Sequence, residues 1–352
     1  MTTTTMPRTR PQLERAWQPG ARELFEQAFG APWHRGAGIP TALDVLQVDL
    51  RKVGGWQSPR YLPAAALLGG TERPLLWRRE LRPDELRRQW CIAFDKHAQH
   101  LGVLSSLELG VGDPEHAVGD ECSMLDTRRP GYWRVRCTYP PIEPEWPDPL
   151  GRSAEAPAAE RWISTPTLEL ALELDFEPEL LEAFTWPLHR RLLRPFGARC
   201  LKARQTLQAH AQAARLTMDG PAYAAAQDAL RALKDVYAPI LGGFLAKKAN
   251  RARSPRLPWY RPDWRHAVIG KSRANLLRNM YAWRARGGVA IGAYHDAVYF
   301  ASDELADELA RRVGIRLDAS LGGYKPGRLR PLNQLVRDRR LNWRSVTGRE
   351  RG

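Results

Sequence analysis

Two aspartates stand where this chain can fix a carboxylate at the head of a sheet. The run 90–94 (Trp-Cys-Ile-Ala-Phe) is apolar and stops at Asp95. An Asp at the end of a buried strand has an anchored backbone and a tip facing a cleft, which suits a metal ligand. The same residue also suits the capping of a following helix, and the local pattern leaves both roles open. In 288–303, two β-type runs (289–294 and 298–300) meet at His295-Asp296 as at a hairpin tip. Asp296 there suits a metal, or simply a turn, where Asp is common for its own side-chain hydrogen bonds.

The elements that must hold these residues follow from the pattern along the chain. Residues 1–20 read as a loose leader and 21–29 as a short helix with Leu24, Phe25 and Phe29 on one face. The stretch 41–60 alternates enough for a strand or a short helix. Within 67–88, Asp84 is placed to cap a helix. After Asp95 a turn leads to apolar residues with helical spacing at 103–109. Strands are expected at 131–139, with two arginines on one face, at 161–165, and ending at 184–186; a helix is expected at 167–174. Residues 140–159, rich in Pro, Glu and Ala, read as an exposed loop.

Basic residues crowd in after Trp186: His189, Arg190, Arg191, Arg194, Arg199, Lys202 and Arg204. Runs rich in Ala, Leu, Gln, Arg and Lys at 195–218 and 221–248, joined by Asp219-Gly220-Pro221, predict a helical hairpin. A loop at 249–262 and a helix at 264–286 follow, then a helix at 303–312 with acids first and arginines last, as the helix dipole prefers. The tail, 321–331 and 337–344, is a basic strip carrying Tyr324 and Trp343. Gly270-Lys271-Ser272 is no phosphate loop, because the glycine required five residues earlier is Arg265.

The 352 residues carry 54 Lys+Arg against 39 Asp+Glu, a formal charge of +15 and a pI near 10.1, which favours polyanions as partners, nucleic acid first. Most of the excess is arginine, whose planar fork suits phosphate contacts and stacking on bases. Residues 1–19 are polar, without the apolar core of a secretion signal, and no run reaches membrane-spanning length. Cys91, Cys122, Cys137 and Cys200 have no Cys-x-x-Cys spacing and read as reduced thiols of a cytoplasmic protein.

In order, these pieces are a strand ending in Asp95, a basic helical hairpin with Lys234 ahead of Gly242, a β-hairpin tipped by Asp296, and a basic tail. That order resembles family B DNA polymerases, most closely the protein-primed branch of phages and linear replicons, over roughly residues 88–335. The resemblance implies phosphoryl transfer, in which two carboxylates hold paired Mg²⁺ ions and a lysine meets the incoming triphosphate. Asp95 matches the metal-binding acid followed in the family by Ser-Leu-Tyr-Pro, and His100 falls where the family keeps the tyrosine that screens out ribonucleotides. Lys234 and Gly242 match the family's Lys…Asn-Ser-x-Tyr-Gly, whereas Ala238, Pro239 and Leu241 do not. Tyr294-His-Asp-Ala-Val-Tyr299 stands at Tyr-x-Asp-Thr-Asp-Ser: Asp296 matches the first acid, and Val298 replaces the second. A valine cannot coordinate a cation that wants oxygen ligands. A register shift of the hairpin bringing Asp296 into the ligand role, or Asp303 reaching over, would make good the loss.

The resemblance implies an α+β, polymerase-like right hand: an N-terminal segment 1–85 of unassigned role and too short for an exonuclease domain, palm-like parts at 86–185 and 251–318, helical fingers at 186–250 and a basic thumb-like tail at 319–352. Catalytic and metal-binding residues would be Asp95 and Asp296; nucleotide-binding, Lys234, Gly242, Lys202 and His100; nucleic-acid-binding, Arg190, Arg191, Tyr324, Lys325, Arg328 and Arg330. The expected partners are DNA, single-stranded or primer-template, and a terminal or priming protein, with no membrane. The expected role is nucleic-acid binding in replication or end maintenance of a linear plasmid, phage or chromosome, with degenerate catalysis. The alternatives are an active DNA polymerase using Mg²⁺ and a basic regulator or initiator with a helix-turn-helix around 264–283.

Overall fold

The computed structural model describes residues 15–34, 38–53, 59–68, 71–137, 146–151, 160–247, 260–318, 320–327 and 329–333. Arg328, Trp343 and most of the expected loops at 140–159 and 249–262 lie outside them. The chain is a mixed helical and antiparallel-sheet protein. Its main sheet has six strands: β1 (Leu75–Arg78), β9 (Ala290–His295), β10 (Ala297–Ser302), β2 (Trp90–Lys96) and β11 (Tyr324–Pro326) in that order, with β12 (Arg330–Pro331) also on β2. Alternation along β2 and β10 divides their residues between two faces. Ile92 and Phe94 share a face with Val298 and Phe300, and this face is covered by Leu276, Leu277, Met280 and Trp283 of helix α8 (Pro262–Arg284) and by Leu309 and Val313 of α9 (Ala306–Val313). Burying Phe94 and Phe300 there contributes about 1.5–3 kcal/mol each. Cys91, Ala93, Ala297 and Tyr299 form a smaller cluster on the other face.

The helical hairpin forms as its composition predicts: α6 (Arg194–Leu216) and α7 (Gly220–Gly242) are joined at Asp219, whose carboxylate accepts from the Ala222 N–H at 3.0 Å. Cys200, Ala203, Leu207, Ala211 and Ala214 make a buried stripe at helical spacing on α6. The ambiguous stretch at 41–60 is a helix, α2 (Gly38–Val53), and with α1 (Ala21–Phe29) it packs onto this pair. Pro239 has no N–H to give the Asp235 carbonyl one turn back. Gly38 lies against that carbonyl so closely that a Cβ would collide with it.

A second sheet, β4 (Glu115–Val118), β7 (Glu179–Thr185), β5 (Gly131–Arg136) and β6 (Glu160–Ser164), carries α5 (Thr165–Glu173). The two arginines expected on one face of β5, Arg134 and Arg136, pair with Glu160, Glu179 and Glu182 at the surface. Strands β3 (Leu109–Gly110) and β8 (His189–Arg190) pair separately. The described residues of the first 85 are built into the whole. Beyond α1, α2 and β1, the buried Glu72 carboxylate accepts from Ser164 N–H at 2.8 Å and from the Ser164 and Thr167 hydroxyls at 2.7 Å, and it pairs with Arg273 of α8 at 2.7 Å.

Three local expectations are corrected. The helix after Asp95 is α4 (Gln99–Val103), not 103–109, because 109–110 is taken into β3. Asp84 precedes a single 3₁₀ turn, Glu85–Arg87, and makes no side-chain cap. Helix α8 runs unbroken over 23 residues, so 264–283 forms no helix-turn-helix.

Candidate functional site

Asp95 does not cap the helix that follows it. The N-cap position of α4 is Ala98, and Asp95 is instead the penultimate residue of β2, at the head of the main sheet. There β10 and β11 flank it, placing Ala297 opposite on one side and Lys325 on the other. Asp296 sits beside it at the turn between β9 and β10, and its carbonyl accepts from the Lys96 N–H at 2.8 Å. His295 holds the turn with a left-handed φ of 58°. The two sequence-predicted aspartates therefore lie next to each other, by backbone position, at one end of one antiparallel sheet.

The surroundings of this pair are cationic. Lys325 Nζ is 3.2 Å from Asp95 Oδ2. Arg204 of α6 reaches the His97 Nδ1 at 3.3 Å. Burial pushes the Arg204 guanidinium below its ordinary range, as it does Arg265, whose Nε donates to the Gly242 carbonyl at 2.8 Å. His97 is lowered first by burial, then by Arg204 and Lys325, against the pull of Asp95 and Asp318. Tyr237 of α7 is raised chiefly by burial, with Asp296 close enough to oppose its ionisation and Arg204 close enough to favour it. Helices α6 and α7 thus bring Arg204 and Tyr237 to the carboxylate head.

His100 lies on α4 with Nδ1 3.1 Å from the Ser272 hydroxyl of α8. Burial, then His295 and Arg265, lower its pKa to about 4, so the ring is neutral at physiological pH. Lys234 is exposed one turn before Tyr237 and Ala238 on α7. Lys202 is placed away from the carboxylates: it lines a groove between α1 and α6 with Arg199, Thr206 and His210, roughly opposite Arg204 around the helix. Arg204 was the missed residue, and its sequence signal is its place four residues after Cys200 and three before Leu207 on the buried stripe.

Of the expected nucleic-acid contacts, Arg190 and Arg191 are exposed near β8, the latter 3.7 Å from Glu108. Lys325 is exposed, and Arg330 pairs opposite Cys91 on β12. Tyr324 is not available for stacking. Its ring is 3% exposed, in the core with Trp283, and its hydroxyl accepts from Asn279 Nδ2 at 2.8 Å, because alternation on β11 turns Tyr324 inward where Lys325 turns out.

The donor set does not fit a pair of Mg²⁺ ions, which want oxygen ligands and at least two shared carboxylates. Val298 is fully buried opposite Phe94, on the face turned away from Asp95. Asp303 cannot substitute. It lies beyond the far end of β10, where Ser302 pairs with Trp90, roughly 17–20 Å along the strand, and it is held by Arg88 at 2.6 Å and the Gln89 N–H at 2.9 Å. Among the described residues, no three of His, Cys, Asp and Glu converge on a metal-sized site. No described helix is long and apolar enough to cross a membrane.

No protein-family model matches the chain, and no curated protein matches it. Among solved structures it is similar to phi29 DNA polymerase complexed with primer-template DNA and incoming nucleotide substrates, with TM-score 0.53 and 15% identity, covering 87% of this chain and 55% of that one. It is also similar to phi29 DNA polymerase complexed with single-stranded DNA, with TM-score 0.50 and 15% identity, covering 87% of this chain and 54% of the other. The chain spans about half the length of these polymerases, and at this identity the likeness is one of fold.

Proposed function

We propose that the chain is a polymerase-like nucleic-acid-binding protein that serves DNA replication or end maintenance of a linear plasmid, phage or chromosome, and that its nucleotidyl-transfer chemistry is degenerate. In this reading the six-stranded sheet is the palm: β2 comes from 86–185, β9 and β10 from 251–318, and β1 from the N-terminal segment and β11 and β12 from the tail complete it. The α6–α7 pair in 186–250 is the fingers, and the basic tail 319–352 starts on the palm through β11 and β12. The observation that carries it is the meeting of Asp95 and Asp296 at the head of the sheet, beside Arg204 and Tyr237 from the helical pair. The likeness of the fold to phi29 DNA polymerase supports it.

The ligand is DNA, single-stranded or primer-template, gripped through its backbone. Lys234, Arg204, Lys325, Arg190, Arg191 and Arg330 supply the charges that meet phosphates, and counterion release makes such binding weaken steeply with salt. Gly242, whose carbonyl holds Arg265, keeps that cation near the cleft. His100, neutral and braced on Ser272, stands where the resemblance puts sugar selection. A terminal or priming protein is the natural second partner. Catalysis is the weak point, since Lys325 already neutralises Asp95 and Val298 offers no oxygen. Primer extension with Mg²⁺, set beside Asp95→Ala and Asp296→Ala, separates this reading from an active polymerase. Extension abolished by either change establishes the enzyme; DNA binding without extension establishes the binding protein.

A further inference from the structure

A cavity of about 150 Å³ lies at the turn that follows β2, with Lys96 and His97 but not Asp95 in its lining. Lys96, His97, Gln99, Ser272, Asn275 and Gly322 give it its polar lining, and no carboxylate lines it. Its volume exceeds what one water needs and falls well below the roughly 300 Å³ at which pockets begin to hold drug-sized organic ligands. A small ion is the size it suits.

The charges around it are unbalanced. The neighbouring acids are already matched, Asp95 to Lys325 at 3.2 Å and Asp318 to Arg316 at 2.9 Å. Lys96 has no carboxylate within 4 Å among the described residues, and its ammonium lies 5.8 Å from the centre of the Tyr324 ring. A half-buried ammonium still needs hydrogen-bond acceptors, and a cation–π contact satisfies none of its three N–H groups.

The other lining groups can complete an oxyanion's shell. The Asn275 Oδ1 accepts from Arg278 at 3.0 Å, which orients that side chain and leaves its NH₂ to donate. His97, whose Nδ1 accepts from Arg204, carries its proton on Nε2 as a donor, and the Ser272 hydroxyl is a further donor in the tautomer where His100 Nδ1–H donates to it. We propose that this cavity is a binding site for one tetrahedral oxyanion of the phosphate class, held by Lys96, Asn275, Ser272 and His97. The site borders the DNA-gripping face through the His97–Arg204 contact, but it is argued from the cavity's own lining and does not rest on the assignment of that face. Occupancy would tie β2, α8 and the 321–322 turn together, because all three line the cavity.

The test is calorimetric titration of the full chain with inorganic phosphate at constant ionic strength, with parallel arms using a nucleoside monophosphate and a short oligonucleotide with and without a 5′-phosphate. Saturable 1:1 binding of phosphate is expected, weakened at least tenfold in Lys96→Met and unchanged in Lys202→Met, whose groove lies elsewhere. Asn275→Asp keeps the acceptor toward Arg278 and places a carboxylate beside Lys96, so it should abolish binding while leaving the fold intact by circular dichroism. This variant decides the matter if Lys96→Met fails to fold. Binding of inorganic phosphate alone identifies the free ion as ligand, and a gain from only the phosphorylated oligonucleotide identifies a nucleic-acid end; either supports the site. Absence of saturable binding in every arm, or equal binding by Asn275→Asp, overturns it.

Discussion

Lys325 stands directly across β11 and β2 from Asp95, its ammonium 3.2 Å from the carboxylate that a polymerase would give to metal. A cross-strand pair of opposite charge on one face is a stable arrangement in its own right. In the proposed DNA-binding role Asp95 would compete with phosphate for the Lys325 charge. Asp95→Asn should therefore tighten binding of a primer-template duplex at moderate salt, as read by fluorescence anisotropy. Lys325→Ala should weaken binding and lower the slope of log K against log salt by about 1. Weaker binding by Asp95→Asn would count against this role.

Val298 stands where the resemblance would put a second acid, and it faces α8, fully buried with Phe94 and Phe300. Restoring the acid by Val298→Asp should not restore activity. It should cost about 3–5 kcal/mol, since it leaves an unpaired charge in an apolar core. A denaturant melt checks the cost. A stable variant that extends primers would show that the hairpin can change register.

Glu72 joins the N-terminal segment to the second sheet and α8 through Arg273, with both side chains buried. Removing one partner strands the other charge. Arg273→Met and Glu72→Gln are each expected to destabilise by about 3–5 kcal/mol in equilibrium unfolding. A loss under 1 kcal/mol would mean that water reaches the pair.

His100 gives a pH signature. Its folded pKa, about 4, lies below the ordinary 6.5, so between those values the unfolded chain binds more protons and stability falls as the pH drops. The difference in unfolding free energy between wild type and His100→Gln should change across pH 6.5 to 4 and stay level above 7. A flat difference throughout would show His100 to be solvent-reached.

Arg204 and Lys202 lie on opposite faces of α6, one at the carboxylate head and one in the groove against α1. Arg204→Ala should weaken DNA binding several-fold more than Lys202→Ala at the same salt. Equal effects in filter binding would place the nucleic acid along the outer groove as well.

Much of this was legible in the residues. The apolar run ending at Asp95, the His295-Asp296 tip and the Ala-rich hairpin capped at Asp219 each carry their element in local pattern. What local pattern does not hold is which face a neighbouring element covers. Alternation fixes Val298 and Ala297 on opposite faces, yet only tertiary packing decides that α8 covers the face of Val298 while Ala297 and Tyr299 fill a smaller cluster on the other. The same holds for Tyr324, which a basic strip suggests as a stacking ring and whose inward turn depends on β11 pairing with β2. The packing of α1 and α2 on α6 and α7 joins residues far apart in sequence, and no window of 20 residues records it.

The central claim is tested most directly by following primer-template binding and primer extension in the same samples across a salt titration, with Mg²⁺ present. The account predicts an affinity that falls steeply with salt and no extension product, in wild type and in Asp296→Ala alike. Extension that disappears in Asp296→Ala, or an affinity for DNA indifferent to salt, would contradict it.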